Sequence, residues 1–280
     1  MHNAALRRLG IDAVYLALPV NPARLEEVVG ALEAVGCGGL NVTLPHKRAA
    51  AGLARRRSAL AERLGAVNTL VPLAEGGWYG TNTDVEGFLA PLESWSSGGS
   101  ALVLGCGGSA LAVVAGLAER RAGRVQVAAR RADRLGAFLA TCRPWGVPLE
   151  GLEWRGEGTD EPLAGALAEA DLVVHTTPVG MAAADDPAAT ERSPLTTAQL
   201  ARLRQGCIVY DLIYTPRPTA LLRQAAERGC RTVDGLEMLV RQGAASLRLW
   251  SGREDVPVGA MREAALAALA APAHRSAGGP

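Results

Sequence analysis

A chain of 280 residues, 49% of them apolar, is long for one hydrophobic core and ample for two, because cores divide as chains approach roughly 250–300 residues. Its 29 basic and 28 acidic side chains leave a formal charge of +1, too weak a field to argue for a nucleic acid or a membrane surface as partner, which leaves a small molecule. No apolar run reaches transmembrane length, and Met1–Gly10 carries Arg7 and Arg8 but no apolar stretch with a cleavage site, so a cytoplasmic location is expected.

Along the chain, apolar runs of strand length alternate with longer segments of helical period, which makes the class α/β. The first third predicts a strand at Ala13–Leu18, a helix from Pro22 to about Val35, a strand at Leu40–Thr43 and a helix opening near Pro45. Together they make a small open-sheet domain over residues 1–93. The stretch Ser94–Ser100, reading S-W-S-S-G-G-S, is the linker candidate, since small flexible residues carry little apolar surface.

A second domain is expected over 94–234. It starts with a strand at Ala101–Leu104, a turn at Gly105–Gly108, a helix at Ser109–Arg121 and a strand at Arg124–Ala129. Strands at Leu172–His175 and Cys207–Leu212 continue the alternation of a doubly wound parallel sheet. From Gly235 to about Trp250, Leu236, Leu239, Val240, Ala244 and Leu247 recur at helical spacing, so helices over 235–270 are expected to pack back on the first domain. The Ala-, Gly- and Pro-rich end, 271–280, should fray. The cysteines Cys37, Cys106, Cys142, Cys207 and Cys230 are scattered without a C-x-x-C pair and the histidines do not cluster, so reduced thiols and no metal are expected.

The strongest motif is A-L-V-L-G-C-G-G-S-A, residues 101–110: an apolar strand running into G-x-G-x-x-A and then a helix. Gly105 permits the tight turn, Gly107 lets backbone approach a pyrophosphate, and Ala110 lets helix and strand pack closely. Cys106, Gly108 and Ser109 complete a loop whose free N–H groups suit an anion. This marks the second domain as a Rossmann-type dinucleotide fold. Where an NAD enzyme places an acidic residue for the ribose 2′-hydroxyl, the chain reads V-A-A-R-R and then Arg134. Guanidinium forks match a 2′-phosphate, so NADP is the expected cofactor. Arg130, at the strand end, is the main phosphate candidate, with Arg131 and Arg134 equally readable as solvated residues at a helix start.

Five further segments belong together: G-L-N-V-T-L-P-H-K (39–47), G-A-V-N-T (65–69), G-T-N-T-D-V-E-G-F (80–88), Y-D-L-I-Y-T-P (210–216) and D-G-L-E-M-L-V-R-Q (234–242). Read singly, Lys47 is a solvated lysine on a first helical turn and Asp84 a helix N-cap. In order and spacing, from His2-Asn3 to Trp250-Ser251-Gly252, the segments resemble the shikimate dehydrogenase family. The resemblance implies reversible NADP-linked reduction of 3-dehydroshikimate to shikimate, a step toward chorismate and the aromatic amino acids. It makes Lys47 the acid/base and Asp84 its partner on one cleft, for orientation and substrate hydrogen bonding. It also implies that Thr43, Asn68 and Gln242 bind substrate hydroxyls, that Tyr214 lies near the carboxylate, and that Gly235 and the backbone near Leu212 border the nicotinamide.

The chain also departs from that pattern. Family members usually carry a strand and an H-S-x-S-P loop before the equivalent of Met1-His2-Asn3, and that segment's absence would expose a sheet edge and delete two hydroxyl donors. Each such bond to a charged group is worth roughly 1.5–3 kcal/mol, so weak shikimate binding is expected as written. The presence of Lys47, Asp84, Asn68 and Gln242 favours a start assigned too late at Met1. His175 stands where the family usually has asparagine, Ala129 where it often has asparagine, and Leu111 where it often has arginine. A broader quinate/shikimate dehydrogenase and a non-catalytic NADP-binding sensor stay open as rival readings, as does a homodimer.

Overall fold

The structure, a computed structural model, describes residues 1–154, 161–183 and 185–271; of the stretch expected to fray, all but Ala271 lies outside them. The first third holds α1 (His2–Leu9), α2 (Leu25–Ala34), β1 (Leu40–Asn41), α3 (Lys47–Leu53), β2 (Arg56–Arg57), α4 (Ala59–Leu64), β3 (Thr69–Pro72), β4 (Trp78–Thr81) and α5 (Asp84–Leu89). Its strands pair in the order β1-β3-β4-β2, with β3 antiparallel to both neighbours and β2 parallel to β4. Leu25 and Val29 of α2 and Ala50 of α3 pack with Val67, Leu70 and Trp78 to form this sheet's core.

One expectation fails here. Ala13–Leu18 belongs to neither sheet, and Val14, Leu16 and Leu18 are 68%, 65% and 52% exposed. Alternating β-formers supply a face, but a strand exists only through ladder bonds to a neighbour. Here the neighbour is a side chain: Asn3 Oδ1 accepts from the Tyr15 N–H at 2.7 Å while Asn3 Nδ2 donates to the Tyr15 carbonyl at 3.0 Å.

The second sheet is built from β5 (Ser100–Leu104), β6 (Arg124–Ala129), β7 (Leu149–Glu153), β8 (Leu172–His175), β9 (Ile208–Asp211) and β10 (Arg231–Val233). Between them lie α6 (Gly108–Glu119), α7 (Ala132–Cys142), α8 (Glu161–Glu169), α9 (Thr197–Leu200) and α10 (Ala220–Glu227). All six strands are parallel, in the order β10-β9-β8-β5-β6-β7. The central strands can be apolar throughout because both faces are covered: Ala101 and Val103 of β5 enter one core with Val113 and Val127, while Leu102 and Leu104 enter the other with Val173 and Val209. The chain runs outward from β5 to β7 and returns at β8, so the strand order reverses between β5 and β8. Ligand crevices of such sheets open at that point, at the carboxyl ends.

The expected linker Ser94–Ser100 is exposed at Ser94, Ser96, Ser97 and Gly98 and anchored at Trp95. Trp95 is 4% exposed, Gly98 N donates to Arg121 O and Gly123 N to Gly99 O, both at 3.0 Å. One indole supplies the apolar surface that its small neighbours lack. The chain ends with α11 (Gly235–Ser251) and α12 (Val258–Ala270). In α11, Leu236, Val240, Ala244 and Leu247 bury against Ala5 and Leu6 of α1 and Met261 of α12. Trp250 Nε1 donates to Leu70 O at 3.0 Å and Arg248 pairs with Glu86. Among the described residues no helix is long and apolar enough to cross a membrane.

Candidate active site

Lys47 is the first residue of α3 and Asp84 the first of α5, so each functional group stands at a helix start that follows a strand of the first sheet. Lys47 Nζ donates to Asp84 Oδ2 at 2.7 Å, with the side chains 24% and 14% exposed. Asp84 does not cap α5; its own N–H goes to Asn82 Oδ1 at 2.9 Å, which fixes the backbone from which the carboxylate projects. The Val67 N–H donates to Lys47 O at 2.9 Å, tying α3 to the turn that carries Asn68.

Asn68 is held in one orientation by what its partners can do. The backbone N–H of Thr83 can only donate, and it meets Asn68 Oδ1 at 2.8 Å. Nδ2 therefore faces Asp84 Oδ1, at 2.8 Å. Behind this amide lies a buried polar cluster that the sequence reading missed. Thr69 Oγ1 donates to Asn68 Oδ1 at 2.9 Å, Ser246 Oγ lies 2.9 Å from Thr69 Oγ1, and Asn41 Nδ2 donates to Ser246 at 2.9 Å. The motif N-V-T and the pair N-T held signals for Asn41 and Thr69; Ser246, on a helix far along the chain, had none.

A cavity of about 1040 Å³ opens over the Lys47–Asp84 pair. Thr43, Asn68, Tyr214 and Gln242 line it, as do Leu212 and Gly235, so all the expected substrate-side residues and both expected nicotinamide neighbours share one space. Asn41, Tyr15 and Met238 also line it, without having been singled out from the sequence. Gln242 Nε2 donates to Leu239 O at 2.9 Å, leaving its Oε1 for a ligand. A Cβ on Gly235 would stand 2.0 Å from the Leu212 carbonyl oxygen, so only glycine lets α11 begin against that strand end.

Ser109, in the first turn of α6, lines the same cavity and connects it to the glycine turn. Gly105 has φ 110°, and a Cβ there would lie 2.6 Å from Thr176 Oγ1. No side chain caps α6 at Gly107, so its first N–H groups and positive dipole end stay available to an anion. A Cβ added at Gly107 or Gly108 would meet nothing within 4 Å, so the space before the helix is open. Burial pushes the Cys106 thiol above its usual value, with the charge of Arg134 pulling the other way.

Arg130, Arg131 and Arg134 do not line this cavity. Arg130 is exposed at the end of β6, and among the described residues no acidic group pairs with it or with Arg134. Arg131 instead pairs with Asp133 at 2.6 Å, as a solvated helix-start residue does. An uncapped helix start, an open glycine cradle and two guanidinium groups without an acidic partner among the described residues fit a dinucleotide carrying a 2′-phosphate.

Residues 1–70 match the family model described as the shikimate dehydrogenase substrate binding domain, and residues 235–266 match the shikimate 5'-dehydrogenase C-terminal domain. Shikimate dehydrogenase (NADP(+)) of Synechococcus sp. (strain JA-2-3B'a(2-13)) is 46% identical over 96% of this chain and 90% of its own length. The chain belongs to the shikimate dehydrogenase family. The family's NADP(+) enzyme from Trichormus variabilis is 42% identical over 94% of this chain and 89% of its own. Among solved members, shikimate 5-dehydrogenase of Listeria monocytogenes, in complex with shikimate and NAD, superposes with a TM-score of 0.83 at 30% identity, over 94% of this chain and 90% of that one. The small α/β unit followed by a parallel nucleotide-binding sheet is thus the family's architecture.

Proposed function

We propose that the protein catalyses the reversible NADP-linked reduction of 3-dehydroshikimate to shikimate, with residues 1–93 and the helices of 235–270 forming the substrate side and 94–234 the cofactor side. The observation that carries this reading is one cavity that receives an amine–carboxylate pair from the first sheet and the uncapped start of α6 from the second. The bound nicotinamide supplies or accepts the hydride. On reduction, Lys47 Nζ gives a proton to the oxygen that becomes the hydroxyl; on oxidation it takes that proton back. Asp84, fixed by Asn68, holds the Lys47 side chain where the reacting oxygen must come.

A polyhydroxylated ring needs neutral donors and acceptors around it, and Thr43, Asn68 and Gln242 supply them; Tyr214, 42% exposed at the rim, is placed to donate to a carboxylate. The pyrophosphate goes to Gly105–Ser109, the 2′-phosphate to Arg130 with Arg134 near it and Arg131 flanking. The test is spectroscopic: shikimate and NADP are mixed with the protein and NADPH absorbance is followed. Steady growth of the signal, dependent on both compounds, supports the reading; NADPH binding without turnover at any shikimate concentration rejects it.

A further inference from the structure

The carboxyl end of β8 carries a buried ionisable pair that the proposed reaction does not use. His175 and Asp211, both 0% exposed, sit side by side at the ends of β8 and β9, with His175 Nδ1 3.0 Å from Asp211 Oδ1. Asp211 also accepts from Thr219 Oγ1 at 2.7 Å and from the Ile213 N–H at 3.1 Å, so it acts as an acceptor throughout and accepts a hydrogen bond from Nδ1–H. The other ring nitrogen, Nε2, then accepts from the Thr177 hydroxyl at 2.5 Å, and Thr177 Oγ1 accepts from the Val179 N–H at 3.3 Å. Every polar atom of the ring is used, and the chain of bonds runs from α10 to the loop after β8.

That loop touches the glycine turn. Thr176 donates through both its N–H, at 3.0 Å, and its hydroxyl, at 2.9 Å, to the Leu104 carbonyl, and Thr177 Cγ2 would lie 2.9 Å from a Cβ on Gly105. On its other side the His175 carbonyl accepts from the N–H of Leu212, which lines the large cavity. His175 thus joins the segment beside the phosphate turn to the segment beside the cavity. We propose that His175 is a positioning residue for the cofactor: pinned by Asp211, its ring holds Thr177 and the loop after β8 against the glycine turn. The proposal rests on the dinucleotide reading of that turn.

Removing the ring would strand a buried carboxylate and threaten the fold, so the hydroxyl at the far end of the chain of bonds is the better probe. Thr177→Val keeps the shape and the methyl group facing Gly105 but loses the bond to Nε2; Thr177→Ser keeps the hydroxyl and loses the methyl. NADPH dissociation constants are measured by fluorescence titration for both variants and the unmodified protein, with KM for NADP and for shikimate beside them. The valine variant is expected to bind NADPH roughly 3- to 10-fold more weakly, the worth of one hydrogen bond, with KM for shikimate unchanged and the serine variant restored to normal binding. Normal NADPH binding by the valine variant, equal loss in both variants, or a parallel rise in KM for shikimate overturns the proposal. Unmodified protein that binds NADPH without turning over shikimate rejects the proposed activity alone, and the dissociation constants still decide the role of His175. Unmodified protein that binds no NADPH overturns both.

Discussion

Asn68 Nδ2 donates to Asp84 Oδ1 at 2.8 Å while Asp84 Oδ2 receives Lys47 Nζ at 2.7 Å, so the carboxylate is gripped from both sides. A carboxylate so held has one place to stand, and the amine it carries inherits that place. Asn68→Ala removes one grip and is expected to lower kcat for shikimate oxidation roughly 10- to 100-fold, the value of a hydrogen bond to a charged group. NADPH affinity should not change. A variant with normal kcat would show that Asp84 needs no support from Asn68.

Arg130 stands exposed at the end of β6 without an acidic partner among the described residues. If it receives the 2′-phosphate, Arg130→Ala should reduce kcat/KM with NADP roughly 10- to 100-fold and leave kcat/KM with NAD almost unchanged. Equal losses with both cofactors would move the phosphate contact elsewhere.

Gly235 offers a steric test. With the Leu212 carbonyl oxygen only 2.0 Å from where a Cβ would go, Gly235→Ala must push α11 away from β9. Overpacking of this kind costs roughly 1–3 kcal/mol. A fall in melting temperature of several degrees and raised KM values for both substrates are expected, since Gly235 and Gln242, both on α11, line the same cavity. Unchanged melting would mean the helix start can shift freely.

His2 gives a pH dependence. It stacks on Tyr15, its ring centroids 4.1 Å apart, and burial pushes its pKa from 6.5 down to about 4. The unfolded chain therefore takes up a proton below about pH 6.5 that the folded chain refuses until about pH 4. Stability from this group is complete above pH 6.5 and falls as pH drops toward 4, by about 3 kcal/mol in all. Urea midpoints at pH 7 and pH 4.5 should fall further in the unmodified protein than in His2→Phe; parallel falls would contradict this.

What could be read from the sequence was what depends on neighbours along the chain. The turn at Gly105 needs φ 110° and sits between a strand and a helix, so its local grammar was legible. The double burial of β5 and β8 shows as unbroken apolar runs for the same reason. Lys47 and Asp84 lie 37 positions apart and came into view only through resemblance, since no spacing rule joins two helix starts. Asn41 and Ser246 are 205 positions apart, and nothing in either segment announces the contact. Ala13–Leu18 has the composition of a strand, yet pairing is a property of the neighbour, and among the described residues β1 pairs with β3 alone. Trp95 anchors the expected linker because one large ring carries more apolar area than its small neighbours.

The most direct test of the Lys47–Asp84 pair is the rate of NADPH formation by Lys47→Ala with saturating shikimate and NADP, set against the unmodified protein. A loss of roughly 100-fold or more with NADPH binding intact is expected of an acid/base placed at the reacting oxygen. Full turnover by Lys47→Ala would contradict that assignment and leave the proton to another group.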